Sequence, residues 1–168
     1  MTEDIEFWSE DRAFGLKVPS EALSRMLELS RRATPRETGG VLVGYYTEAQ
    51  DCAVVTEVSR APPDSRSGKN IFVRGTAGLQ RWLNKLWLRE RRFYLGDWHS
   101  HPGQTPRPSL TDMAQLEEIA EDKSRKCPEP VALLIGGAAA EANDAAAFVY
   151  PKDLGLIELL QAENTAHR

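Results

Sequence analysis

Phe93-Tyr94-Leu95-Gly96-Asp97-Trp98-His99-Ser100-His101-Pro102 is an aromatic and apolar run that reads as a strand stopped by a proline. Along a strand, residues two apart project to the same face. His99 and His101 therefore aim both imidazoles at one point, which a helix would achieve only with a wider spacing. Pro102 and Gly103 end the strand, and residues 104–108 have the composition of a loop. Ser109 then opens a helix with apolar positions at Leu110, Met113, Leu116 and Ile119. Asp112 falls in its first turn, beside the loop, where it can supply a third donor.

Two neutral imidazoles and a carboxylate leave one corner of a tetrahedral zinc site to water, which separates catalytic sites from closed structural ones. Zinc lowers the pKa of such a water from about 15.7 to about 7, so hydroxide becomes available at neutral pH. Ser109-Leu110-Thr111-Asp112 is also a helix-capping pattern, with serine at the cap and an acid three residues on. The two readings are compatible, because a capped helix start fixes where Asp112 points. Upstream, Glu37 precedes Thr38-Gly39-Gly40 and the strand-like run Val41-Leu42-Val43-Gly44-Tyr45-Tyr46. Taken alone, Glu37 is an exposed acid following a helix. Its case rests on the pattern it completes.

That pattern is Glu37 with Thr38-Gly39-Gly40, then His99-Ser100-His101-Pro102, then Ser109-x-x-Asp112. It resembles the motif of the JAMM/MPN zinc metalloprotease family, and within that family the short bacterial members found with ubiquitin-like conjugation machinery in antiphage (CBASS-type) systems. The resemblance implies that His99, His101 and Asp112 ligate one Zn2+ ion. It implies that Glu37 serves as general base and then general acid, and that Ser109 donates to the oxyanion. The implied activity is an isopeptidase or peptidase acting at the C-terminal tail of a ubiquitin-like protein, with activating and conjugating enzymes encoded nearby. By the same analogy Ile71, Phe72, Val73 and Arg74 are candidates for the groove that holds the tail. Two other readings stay open: processing of a sulfur-carrier protein of ubiquitin-like fold, and a non-catalytic scaffold module. A second zinc site is not expected, since the remaining histidine is His167 and Cys52 and Cys127 are far apart.

The rest of the chain sets bounds. At 168 residues, with 41% hydrophobic and 27% charged residues, it reads as one globular α/β domain spanning 1–168. Residues 1–13 are expected to form an N-terminal strand or arm, and 163–168 a flexible tail. No apolar run reaches the roughly 18 residues of a membrane span, and the acidic start lacks a secretory signal pattern. Two cysteines without a framework spacing suit a reducing cytoplasm. Residues 60–92 carry nine basic and two acidic side chains. Much of that charge lies on the solvated face of a helix, so nucleic acid is not an expected partner, and oligomeric state is not legible.

Periodicity places helices at 20–32 and 76–91. Their apolar stripes are Ala22, Leu23, Met26, Leu27 and Ser30, and Leu79, Trp82, Leu83, Leu86 and Trp87. A hairpin is expected over 40–46 and 52–59, with further strands at 131–135 and 146–150. A closing amphipathic helix is expected over 153–162. The sum is a mixed, mostly antiparallel sheet flanked by helices.

Overall fold

The structure, a computed structural model, describes residues 3–137 and 144–163. Along the chain it runs β1 (Ile5–Trp8), β2 (Gly15–Val18), α1 (Ser20–Ala33), β3 (Gly39–Tyr46), β4 (Cys52–Val58), β5 (Arg66–Ser67) and β6 (Phe72–Val73). There follow α2 (Leu79–Glu90), β7 (Phe93–Ser100), α3 (Leu110–Glu121), a short 3-10 turn at Lys123–Arg125, β8 (Val131–Ile135), β9 (Ala145–Val149) and β10 (Ile157–Gln161).

Eight of these strands close into a barrel in the order β1-β10-β9-β8-β7-β3-β4-β2, while β5 and β6 pair only with each other. This corrects the expected architecture, a sheet flanked by helices. Closure comes from β1, which pairs with β2 on one side and, through Phe7↔Gln161 and Trp8↔Leu160, with β10 on the other. Joining first and last strands leaves no free edge on the sheet. The closing helix expected at 153–162 is likewise absent. Asp153 and Gly155 take positive φ values of 73° and 76°, which a helix does not tolerate, and β10 follows with Leu159 buried. The tail expected to be flexible falls, beyond residue 163, outside the described residues, as does His167.

The barrel interior is filled by Phe7, Leu16, Leu42, Val55, Leu95, Trp98, Leu133 and their neighbours, and α1 adds Ala22, Leu23, Met26 and Leu27 to the same cluster. α2 lies outside, with Leu86 against Val41 and Val43 of β3. Its Trp87, expected in the buried stripe, is about half exposed beneath the Arg91 guanidinium, 5.0 Å from the ring centroid. α3 packs Leu116 against Ala132 and Leu134 of β8 and Phe148 of β9.

One irregularity in β7 decides which way the site faces. Leu42 pairs with Gly96 and Val43 with Tyr94, so Leu95 is an extra residue on β7. A bulge of this kind switches the alternation of side chains. Leu95 and Trp98 consequently both enter the barrel core, although three residues apart. Tyr94 lies under α2 on the other face. Asp97 and His99 follow it there, outside the barrel. Gly96 is required for this: a Cβ there would stand 1.8 Å from the Val131 carbonyl oxygen of the parallel neighbour β8. Since β7 and β8 are parallel, the chain must cross over between them, and α3 is that crossover. Its N-terminus therefore starts at the carboxyl end of β7.

Candidate metal centre

His99 is the last residue but one of β7, paired with Gly39 of β3 and Leu134 of β8. His101 lies one residue beyond the strand but keeps the extended course, its N–H donating to the Ile135 carbonyl at 2.7 Å. At the start of α3, the Ser109 hydroxyl accepts from the Asp112 N–H at 3.1 Å, and Asp112 Oδ2 accepts from the Ser109 N–H at 2.7 Å. That reciprocal cap fixes the carboxylate at the helix start.

The three side chains converge. His99 Nε2 and His101 Nε2 are 3.0 Å apart, and Asp112 Oδ2 lies 3.3 Å from the first and 3.6 Å from the second. Donors held about 2.0–2.1 Å from a tetrahedral zinc are roughly 3.3 Å from one another. The donor triangle thus fits such an ion in both spacing and chemistry. Among the described residues, no other three His, Cys, Asp or Glu side chains converge in this way.

Electrostatics favour the ligand forms. Burial alone would raise the Asp112 carboxyl, but the hydrogen bond and charge of His99, with the two Ser109 contacts, hold it at about 2. Burial, and then the charge of His99, lower the His101 imidazole below its ordinary value. An ionised carboxylate and a neutral imidazole are what a metal requires.

Glu37 stands next to this group and outside it. It is 7% exposed, and burial raises its carboxyl above the ordinary range, with His99 opposing and Asp112 adding to the shift. The backbone there is tied to the site. The Ser100 N–H donates to the Thr38 carbonyl at 2.8 Å, the Thr38 N–H donates to Ser100 Oγ at 3.0 Å, and the Glu37 N–H donates to the Gly68 carbonyl at 2.8 Å. Gly39 permits the close approach, since a Cβ there would lie 2.3 Å from the Trp98 carbonyl oxygen and 2.7 Å from both the His99 Cβ and the Phe72 ring. Ser109 is exposed, and because its lone pair serves the Asp112 N–H, its own proton is free to be donated.

The tail-groove candidates lie on the hairpin of β5 and β6, against the metal centre. Phe72 lines a small pocket with His99, Asp112, Gln115 and Leu116. Ile71 is 56% and Val73 39% exposed. Arg74 is engaged elsewhere: its Nε donates to Asp97 Oδ2 at 2.6 Å, and Nη1 to the Gly75 carbonyl at 3.0 Å. Asp97 Oδ1 accepts from the Tyr94 hydroxyl at 2.6 Å. Burial, reinforced by the Asp97 charge, pushes the Tyr94 phenol far up, which keeps it a donor. Three of these neighbours escaped the sequence reading. Ser100 was in plain view between the histidines, on the opposite face of the strand. Asp97 and Tyr94 carried no signal, because only the bulge puts them on one face. Both cysteines are buried and their thiols raised, Cys52 to about 11 and Cys127 to about 12, so neither is an activated nucleophile.

Residues 19–149 match the family described as prokaryotic homologs of the JAB domain. The chain belongs to this family. The resemblance read from the motif is thereby borne out. A CD-NTase/cGAS isopeptidase of Enterobacter hormaechei subsp. hoffmannii is 34% identical over 150 residues, covering 89% of this chain and 83% of the relative. A probable metalloprotease, y4qB, of Sinorhizobium fredii is 29% identical over 123 residues, 71% of this chain and 74% of that one. A solution structure of a Desulfitobacterium hafniense protein superposes with a TM-score of 0.57 at 26% identity, over 82% of this chain and 85% of the other. The JAB-domain match takes in Glu37, His99, His101, Ser109 and Asp112 alike.

Proposed function

We propose that the protein is a zinc-dependent isopeptidase that releases the C-terminal tail of a ubiquitin-like protein from target lysines, or trims that tail's precursor, in a bacterial antiphage conjugation system of the cytoplasm. The observation that carries the reading is the convergence of three metal donors within 3.6 Å beside a buried glutamate that is not one of them. The Enterobacter relative's name supports the substrate class. No helix among the described residues is long and apolar enough to cross a membrane.

His99, His101 and Asp112 would hold a single zinc ion, which when bound supplies Lewis acidity toward the scissile carbonyl and makes water acidic enough to attack near neutrality. Glu37, partly desolvated, takes the proton of the attacking water and returns it to the departing lysine amine. Ser109 donates its free hydroxyl proton to the oxyanion, an interaction worth about 2.7–4 kcal/mol at comparable sites. β6 pairs only with β5, and beside it Ile71 and Val73 are exposed, so its other edge is where an extended tail can add as a strand.

The test replaces Glu37 with Gln. The variant should bind zinc like the wild type, yet turn over a ubiquitin-like conjugate about 10²–10⁴-fold more slowly. In cells it should accumulate conjugates, and mass spectrometry of these names the substrate. Wild-type turnover by Glu37→Gln would remove the base from the mechanism.

A further inference from the structure

The segment 62–76, which carries β5 and β6, has no partner strand in the barrel, yet it is fastened to the metal centre at three places. The Gly68 carbonyl takes the Glu37 N–H at 2.8 Å. Phe72 sits in the gap left by Gly39, beside His99. Arg74 reaches across to Asp97, two residues before His99 on the same face of β7. The base of the segment is closed separately: the Gly75 N–H donates to Ser65 Oγ at 2.9 Å, and the Thr76 and Ala77 N–H groups donate to Asp64. The segment therefore keeps its base whatever happens at Arg74. The upper part is held by Gly68 and Phe72 and by Asn70, whose Oδ1 accepts from Gln104 Nε2 at 3.2 Å, and Arg74 adds the ion pair that draws the end of β6 onto β7.

We propose that Arg74 is a positioning residue, and that its ion pair with Asp97 clasps the β5–β6 strap to the catalytic strand so that Ile71–Val73 is held in line with the metal centre. The proposal rests on the isopeptidase reading above and deepens it. Three observations support it. The pair is largely buried on both sides, so it is far less screened than a surface ion pair. The second carboxylate oxygen is held by Tyr94, so Asp97 has one orientation and offers Arg74 one docking point. Arg74 also separates two hollows: the pocket that contains His99 and Asp112, and a groove lined by Val41, Leu79, Leu83 and Tyr94 under α2. Arg74 Nε and Nη1 are turned to Asp97 and to the Gly75 carbonyl, and its side chain is only 14% exposed. Its contribution is made through the strap, to substrate binding rather than to the bond-breaking step.

The experiment compares Arg74→Gln, Asp97→Asn and the double variant in the zinc-loaded full chain. It uses a ubiquitin-like conjugate and, separately, amide hydrogen exchange. Each single substitution should raise KM about tenfold while kcat stays within about twofold, and the double variant should be no worse than either single, as expected for two residues acting as one unit. Exchange should quicken over 66–73 in all three variants and stay unchanged in β8. If Arg74 touched the substrate directly, Asp97→Asn would leave KM at its wild-type value, and that result overturns the proposal. So does a double variant whose KM is the product of the two single effects, a loss confined to kcat, or unaltered exchange over 66–73. If the wild type cleaves no such conjugate, the functional reading fails, while the exchange arm still decides whether the clasp holds the strap.

Discussion

The two faces of β7 are built by different rules. The inner face presents Leu95 and Trp98, which fill the barrel, and Trp98 is 1% exposed with its indole N–H on the Ser59 carbonyl at 3.0 Å. The outer face presents Asp97 and His99, with His101 continuing the course, and its identities are set by what each group can bind. Inside, volume decides, since protein cores are packed like organic crystals. Outside, lone pairs and charge decide. Gly96 and the extra residue Leu95 separate the two sets, so a single strand serves both the core and the donor cluster.

Substitutions on the two faces should therefore fail in different ways. On the inner face, Trp98→Ala should lower the unfolding free energy by about 3–5 kcal/mol, read from denaturant melts of the metal-free protein. A smaller loss would mean that the core is not organised around this ring. On the outer side, Ser109→Ala should cut kcat by about 10²–10³-fold and cost about 1 kcal/mol through the lost helix cap. If stability fell but turnover did not, Ser109 would be a cap and nothing more. A smaller effect is expected at Glu37, where the needs of the fold and of the chemistry differ. Burial raises its folded-state carboxyl pKa, so the folded protein holds this proton to a higher pH than the unfolded chain does. Stability from the protonated form is complete below the unfolded value of about 4.5 and is lost as pH rises through the raised folded value. Metal-free Glu37→Gln should therefore be more stable than wild type near neutrality, and the advantage should vanish in acid. Equal stability at every pH would show that the carboxylate is not strained by its surroundings.

The site was more legible than the fold. Two histidines at strand spacing and a serine–aspartate cap are local features, and each keeps its geometry once the strand and helix form. The capping pattern, innocuous on its own, is the device that aims Asp112. Barrel closure is not local. It rests on Phe7 and Trp8 meeting Leu160 and Gln161 at the opposite end of the chain, and nothing near either pair announces it. The run Leu156-Ile157-Glu158-Leu159-Leu160 is short, and over such lengths periodicity does not separate a strand from a helix. The left-handed residues Asp153 and Gly155 settle the matter, and only Gly155 was a visible sign. The Arg74–Asp97 pair was hidden for a similar reason. It joins positions 23 apart, and Asp97 faces Arg74 only because of the bulge.

In the proposed function His99, His101 and Asp112 hold the metal and Glu37 does not. This division of roles is read from zinc per chain, measured on purified wild type, His101→Ala and Glu37→Gln after equal exposure to zinc and buffer exchange. A single zinc is expected in wild type and Glu37→Gln and almost none in His101→Ala. A full complement of zinc in His101→Ala, or its loss in Glu37→Gln, would mean that a different set of side chains holds the ion.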